Sequence, residues 1–339
     1  MFSRTLLFII AFSAIANVVA ANHLERFKQW AVQHKIELPS DDSRFLHMLT
    51  NWRNNDKLIE ETNSKNLTYT LGHNAYSAMN SEEFAELMRF GYNREIISSM
   101  DKAASISYGS VGAPASVDWR TKGAVTPVKD QGQCGSCWSF STTGALEGIY
   151  AIKNSNLVSF SEQQLVDCDY IRAGGTSLGC NGGDMGSAMD WIGKNNGLCT
   201  EQAYPYFSGT TKTNGACQKT CAVVPGSDVI KTVSVGANSD SAMMTALAQQ
   251  PVSVAIEADQ SSFQLYKSGV FSGSCGTNLD HGVLLVGYGT MTGGDYYILK
   301  NSWSNTWGDQ GYMYLGKGSQ YNGGKGQCGV LMQGVYPVL

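Results

Sequence analysis

The chain opens on an apolar run. Leu6 to Ile15 is almost unbroken in hydrophobic side chains, Arg4 precedes it, and small residues follow at Val18, Ala20 and Ala21. A membrane-spanning helix needs about 20 apolar residues, so the run is too short for one. Its basic start and small-residue end predict a secretory signal peptide over residues 1–20, cut after Ala20. The pattern then turns helical. In HLERFKQWAVQHKI, Phe27, Trp30 and Ala31 recur at three- and four-residue spacing, and in SRFLHMLTNWRNNDKLIEETN so do Phe45, Leu49, Trp52, Leu58 and Ile59. Both stretches predict amphipathic helices. NSEEFAELMR begins with Asn80 and Ser81 and places Glu82 and Glu83 early, a helix start. SISYGSVGAPAS is small and Gly-rich and ends around Pro114, a linker open to proteolysis. After it glycine becomes frequent. WSFSTTGALEGIYAIK carries Phe140, Leu146, Ile149 and Ile152 at helical spacing, and from Val229 onward short β-type runs dominate: PVSVAIEA, GVLLVGYG, YYILKNSW and GYMYLG. A helical half followed by a strand-rich half predicts an α+β fold.

Composition narrows the function. With 42% hydrophobic and 15% charged residues over 339 positions, the chain is long and apolar enough to build a core. The net charge is −4 and no Lys/Arg block occurs, which argues against a nucleic-acid surface. No later segment is apolar enough to span a membrane. All nine cysteines lie beyond residue 130. A secreted chain uses cysteines in disulfides, and an odd number leaves one thiol to be explained.

The stretch DQGQCGSCWSF places Cys134 and Cys137 two residues apart among glycines. Structural zinc needs four Cys/His ligands, usually from two clusters, and Cys217 with Cys221 is only a loose second pair. A redox dithiol belongs beside a βαβ pattern, which is lacking. A nucleophilic thiol needs a base, and after residue 112 the chain has one histidine, His281, in NLDHGVLLVGYG. A base needs an orienting partner, and Asn301 in ILKNSWSNTWG, close to Trp303 and Trp307, can accept the imidazole N–H without adding charge. Each has a plainer alternative: a structural histidine at a strand entry, and a loop asparagine beside core tryptophans.

The three blocks DQGQCGSCWSF, LDHGVLLVGYG and NSWSNTWGDQGYMYLG resemble the active-site blocks of the papain-like cysteine proteases, and SVDWRTKGAVTPVKDQG, SEQQLVDCD and GCNGGDM resemble further stretches of that family. His281 follows Cys137 by 144 positions and Asn301 by 164, the first within and the second slightly beyond a family spacing of about 130–150. The resemblance implies a papain-like α+β fold of two lobes, one helical and one β-barrel-like, preceded by a helical propeptide. It divides the chain into signal peptide (1–20), inhibitory propeptide of the cathepsin L-like branch (21–112) and peptidase domain (113–339). It implies Cys137 as nucleophile, His281 as base and then acid, Asn301 as orienting residue, and Gln131 with the Cys137 N–H as oxyanion hole. Substrate would bind along Gly182, Gly183 and Trp303. Met185, Ala255, Leu279, Gly282 and Gln333 would form a mostly apolar pocket for the second residue before the cut, with Asp184 near its rim.

The family pattern implies disulfides Cys134–Cys180, Cys168–Cys217 and Cys275–Cys328. Cys199 and Cys221 are then left for a fourth. Trp52, Asn55, Ile59 and Asn63 fit the latter half of the propeptide's long helix motif, while Arg44 and Met48 depart from its first half. GHNAYSA resembles the second propeptide motif, with Ala78 where an acid is usual. Asn66 in Asn66-Leu67-Thr68 is a glycosylation sequon. The expected protein is a monomeric cysteine endopeptidase of the secretory pathway, in a lysosome, a vacuole or outside the cell, without metal or cofactor. It would act on polypeptides, be inhibited by its own propeptide and by cystatin-type inhibitors, and have no nucleic-acid or membrane partner. Two other functions fit the same fold: a non-catalytic binding protein, and an acyl transferase using the same Cys–His pair.

Overall fold

The structure is a computed structural model that describes residues 22–88, 91–92 and 112–339. The expected signal peptide and most of the expected linker lie outside the described residues. Three helices begin the described chain: α1 (residues 22–33), α2 (Asp42–Asn63) and α3 (Ser81–Met88), with the short strand β1 (Tyr69–Leu71) between the last two. In α1 the predicted stripe of Phe27, Trp30 and Ala31 is buried and packs on α2, where Phe27 meets Phe45 and Trp52 edge-on at 5.6 and 5.9 Å. Asp41 caps α2 by accepting from the Arg44 N–H at 2.8 Å.

The buried face of α2 is half polar, and its asparagines have defined partners. Asn55 Nδ2 donates to the Ser77 and Met79 carbonyls at 2.9 and 2.8 Å. Asn63 exchanges two hydrogen bonds with the Leu71 backbone. Trp52, Asn55, Ile59 and Asn63 thus clamp the returning segment 71–79 against the helix, which is why those residues recur at helical spacing.

Beyond the linker the chain forms β2 (Val117–Asp118), α4 (Cys137–Asn154), α5 (Glu162–Cys168), α6 (Met185–Lys194), α7 (Ser208–Thr211), β3 (Lys231–Ser234), α8 (Asp240–Leu247), β4 (Val252–Ile256), α9 (Ser261–Gln264), β5 (Tyr266–Phe271), β6 (His281–Met291), β7 (Gly294–Lys300), β8 (Tyr312–Gly316) and β9 (Gly334–Val338). The sheet runs β1-β5-β8-β7-β6-β4-β9-β3, with β2 added beside β6. Among the described residues this path is open, so the barrel-like lobe implied by the resemblance is built on an open sheet. β5 and β8 are parallel, while the other strand pairs are antiparallel.

Two cores lie on either side of the site. One surrounds α4 and α6 with Trp138, Leu146, Leu165, Met185 and Met189; the other lines the sheet with Leu285, Leu299, Phe263, Trp303 and Trp307. The N-terminal helical segment joins the second core through Leu71, Phe84 and Met88. It also joins the sheet, because β1 pairs with the edge strand β5. Three residues give too little alternation to predict a strand. β1 exists because β5 offers it unpaired backbone groups.

Disulfides connect Cys134 to Cys180, Cys168 to Cys217, Cys199 to Cys221 and Cys275 to Cys328. Cys134 is thereby unavailable as a partner of Cys137, and Cys137 is the free cysteine among the described residues.

Candidate active site

Cys137 is the first residue of α4, and His281 is the first residue of β6. The two elements pack against each other, so the amino end of a buried helix meets the entry of the central strand. The Gly282 N–H donates to Cys137 Sγ at 3.3 Å, tying the residue after the histidine directly to the thiol. The helix N-terminus adds partial positive charge there, which favours a thiolate once water has access.

His281 Nε2 lies 2.8 Å from Asn301 Oδ1. The orientation of that amide follows from its neighbour: the Ser302 N–H donates to the same Oδ1 at 2.8 Å, so the atom is an acceptor and Nε2 carries the imidazole proton. Nδ1 is then the basic nitrogen. Trp303 stacks on the imidazole at 4.7 Å and is fully buried, as are His281 and, nearly so, Asn301. The indole keeps water from the His281–Asn301 bond.

Gln131 is fully buried. Its backbone N–H donates to the Ser302 carbonyl at 2.8 Å, and its Oε1 accepts from Ser302 Oγ at 2.7 Å. With Oε1 so fixed, Nε2 faces the cleft side, donating to the Cys134 carbonyl at 3.1 Å and toward the Met88 carbonyl at 3.4 Å. Met88 is the last residue of α3, so a carbonyl of the N-terminal helical segment lies at the Gln131 donor. Ser302 is a site residue that the sequence reading did not single out, although it sits inside the NSW block.

The propeptide continues through the cleft. Gly183 N–H donates to the Gly91 carbonyl at 2.8 Å, and Tyr92 N–H donates to the Asp280 carbonyl at 3.1 Å. Gly91 also gives a backbone hydrogen bond to Cys137. At Gly91 the backbone comes so close that an added Cβ would overlap the Gly135 carbonyl. Gly91→Ala is therefore expected to push this segment out of the cleft and to speed conversion of the proenzyme several-fold, as followed by the rate of propeptide loss on a gel. An unchanged rate would mean that the Gly91 contact does not limit release.

Burial sets the charge state. The Cys137 thiol is pushed up to about 11 by burial, against the opposing backbone hydrogen bonds from Gly282 and Gly91. Burial pushes the His281 imidazole down to about 4, against the hydrogen bond to Asn301. Both shifts favour neutral forms, so the proform holds a thiol and an imidazole rather than an ion pair. Beside them the Asp280 carboxyl is pushed up to about 8, chiefly by burial and further by Asp259 and Glu257.

The predicted pocket residues fall around Cys137 and His281. Met185 and Ala255 are fully buried, Leu279 is half-buried, and a Cβ on Gly282 would sit 3.1 Å from Met185 Sδ. Met185, Ala255, Trp138 and propeptide Tyr92 share one buried apolar cluster, with Leu279 packed on it. Gly182 adopts a φ of 113°, and a Cβ on Gly183 would strike the Trp138 indole at 2.5 Å. Asp184, expected near the rim of that pocket, is buried with the N-terminal segment in place. Its carboxylate caps α6 through the Ser187 N–H at 2.8 Å and accepts from Gln333 Nε2 at 3.1 Å. Gln333 is thus tied to an acid within the protein. Asn66 is exposed at a left-handed turn with φ of 50°, just after α2.

Comparison with known proteins fits this geometry. The family model described as "Papain family cysteine protease" matches residues 113–338, and the one described as "Cathepsin propeptide inhibitor domain (I29)" matches residues 27–84. Chymopapain of Carica papaya is 41% identical over 317 residues, covering 93% of this chain and 86% of that protein. Thiol protease SEN102 of Hemerocallis sp. is 41% identical over 321 residues, covering 92% and 85%. Probable cysteine protease RD21B of Arabidopsis thaliana is 43% identical over 288 residues, 85% of this chain, and the match spans only 60% of that longer protein. Among solved structures, the proform of the ragweed pollen allergen Amb a 11 superposes with a TM-score of 0.83 at 35% identity, covering 94% of each chain. A digestive procathepsin L 3 from Tenebrio molitor larval midgut gives 0.79 at 34% identity, covering 94% of this chain and 99% of the other.

A two-lobed fold with a cysteine at a helix N-terminus, a histidine at a strand entry and an inhibitory segment laid across both defines a cysteine protease precursor. The chain belongs to the papain family of cysteine proteases and carries a cathepsin-type propeptide inhibitor domain ahead of the protease domain. Its propeptide inhibits intramolecularly, its substrates are peptides, and its disulfides and propeptide place it in the secretory pathway.

Proposed function

We propose that this protein is an endopeptidase in which Cys137 is the nucleophile, His281 the base and then the acid, Asn301 the orienting residue, and Gln131 with the Cys137 N–H the oxyanion hole. The observation that carries the reading is the pair of hydrogen bonds linking Cys137 Sγ to Gly282 N and His281 Nε2 to Asn301 Oδ1. With the propeptide gone, water enters, the thiol proton passes to His281 Nδ1, and the thiolate adds to the substrate carbonyl. Gln131 Nε2 and the Cys137 N–H bind the resulting oxyanion. The imidazolium protonates the departing amine, leaving a thioester. His281 then takes a proton from water, whose oxygen adds to the thioester carbon and releases the acid and the free thiol.

The apolar cluster that includes Tyr92 in the proform is the pocket for the second residue before the cut, so an aromatic or aliphatic residue fits it. The Asp184–Gln333 hydrogen bond keeps that acid from presenting a free carboxylate to a basic side chain. The test is cleavage of a peptide library by the processed protein. Preference for hydrophobic residues there supports the reading, and preference for Arg or Lys contradicts it. Processing removes residues 1–20 and then the remainder up to about Ala113, which N-terminal sequencing checks. The mature protein acts as a monomer in a lysosome, a vacuole or the extracellular space, is open to cystatin-type inhibitors, and carries its glycan at Asn66 only while the propeptide remains.

Acid triggers release. Ala78 supplies no carboxyl, but four of the five histidines lie in the propeptide. Burial holds His34 and His73 below their ordinary 6.5, with mutual repulsion adding to it at His34. His73 stacks on Trp52 at 4.5 Å and lies 3.0 Å from Asp56, which also takes Arg26 at 2.5 Å and His23 at 3.7 Å. For a base held below its unfolded value, the unfolded chain takes the proton first. Propeptide stability is then whole above about 6.5 and declines as pH falls through that value. The expected result is a falling Tm of the Cys137→Ala proenzyme from about pH 7.5 to about pH 5, with a shallower slope in a His73→Gln variant. An identical slope in the two would remove His73 from the account.

A further inference from the structure

The loop from Cys199 to Cys221 does more than fill the surface beside the helical lobe. Its ends are joined by a disulfide, and its middle is fastened to α5: Ser161 Oγ donates to the Tyr204 carbonyl at 2.6 Å, and Gln163 Oε1 accepts from the Phe207 and Ser208 N–H groups at 2.9 and 3.0 Å. The Tyr206 N–H is held by Glu201 Oε1 at 2.8 Å, and its ring stands edge-on to Phe140 at 4.9 Å, three residues along α4 from Cys137. From this anchored base the Tyr206 hydroxyl reaches the segment 131–136. It donates to the Gln131 carbonyl at 2.8 Å and lies 2.7 Å from Ser136 Oγ. A carbonyl only accepts, so the tyrosine proton goes to Gln131 and Ser136 donates to the tyrosine oxygen.

One hydroxyl thus holds both ends of the loop that carries the oxyanion donors, Gln131 at its start and the residue before Cys137 at its end. The same loop leans on it by backbone contact. Gln133 N–H donates to the Gly209 carbonyl at 2.9 Å, and a Cβ on Gly132 would come within 2.7 Å of that carbonyl oxygen. Ser302 grips Gln131 from the opposite lobe, so Gln131 is held between two braces. Without the tyrosine oxygen, the acceptor left to Ser136 Oγ is the Cys134 carbonyl at 3.4 Å, which Gln131 Nε2 already uses.

We propose that Tyr206 is a positioning residue for the oxyanion hole, acting through Gln131 and Ser136 from a disulfide-closed brace. This rests on the catalytic reading given above. A donor displaced by a fraction of an ångström loses most of its transition-state advantage while leaving substrate binding intact.

The test is Tyr206→Phe in the full proenzyme, processed to the mature form, which keeps the ring on Phe140 and removes only the hydroxyl. The expected result is a fall in kcat of about tenfold with KM nearly unchanged. Affinity for a peptide aldehyde, whose adduct places an oxygen in the hole, falls in parallel. The rate of Cys137 alkylation by iodoacetamide, which forms no oxyanion, stays at the wild-type value. In a Gln131→Ala background the same substitution costs little, because the group it positions is absent. Unchanged kcat in Tyr206→Phe, a parallel fall in the alkylation rate, or full additivity with Gln131→Ala would each overturn the positioning role. A wild-type mature protein that neither hydrolyses peptides nor takes up iodoacetamide at Cys137 would overturn the catalytic reading beneath it, and is told apart by being seen before any substitution is made.

Discussion

Cys137→Ala abolishes peptide hydrolysis, and the proenzyme keeps its propeptide at acidic pH. The expected loss in kcat is about six orders of magnitude, the scale found when the nucleophile is removed from a comparable acyl-transfer triad. Alanine removes only the sulfur, at the buried first residue of α4. The surrounding packing involves Gly282, Trp138 and the propeptide backbone, so the variant folds. Its folded state is checked by an unchanged pattern of four disulfides, since Cys137 takes part in none of them. Activity of the purified variant within a hundredfold of wild type would move the nucleophile elsewhere in the chain.

Gln131→Ala is expected to reduce kcat by about 10²–10³, equivalent to about 3–4 kcal/mol of transition-state stabilisation, because one oxyanion donor is lost. KM should change far less, since the amide contributes most after the carbonyl has become tetrahedral. The substitution also strips Ser302 Oγ of its acceptor in a buried setting, so some loss of stability accompanies it.

The parts of the site that could be read from the sequence are those whose chemistry is confined to short segments. DQGQCGSCWSF holds the thiol and Gln131 within one loop, and the lone histidine beyond residue 112 left one candidate for the base. The helices of the propeptide were equally open to reading, because Phe27, Trp30 and Trp52 mark their buried faces. The parts that could not be read depend on approach in space. β1 is a strand only because β5 is beside it. Gly91 carries no motif, yet its lack of a side chain lets the propeptide pass Gly135. Asp184 carries no local sign of its burial. Its burial follows from the N-cap of α6 and from Gln333, 149 positions away in the chain. Tyr206 lies in a loop whose fastening to α5 no local pattern announces.

In the proposed mechanism a single thiol, neutral and covered in the proform, becomes the reactive nucleophile when the propeptide leaves. The most direct measurement is iodoacetamide labelling of the proenzyme and of the processed protein at about pH 7, with the modified peptide located by mass. The prediction is one label per chain, on the peptide containing Cys137, taken up rapidly only after processing and slowed strongly by His281→Ala. A processed protein that leaves Cys137 unlabelled, or a proenzyme labelled there as fast as the processed form, would contradict it.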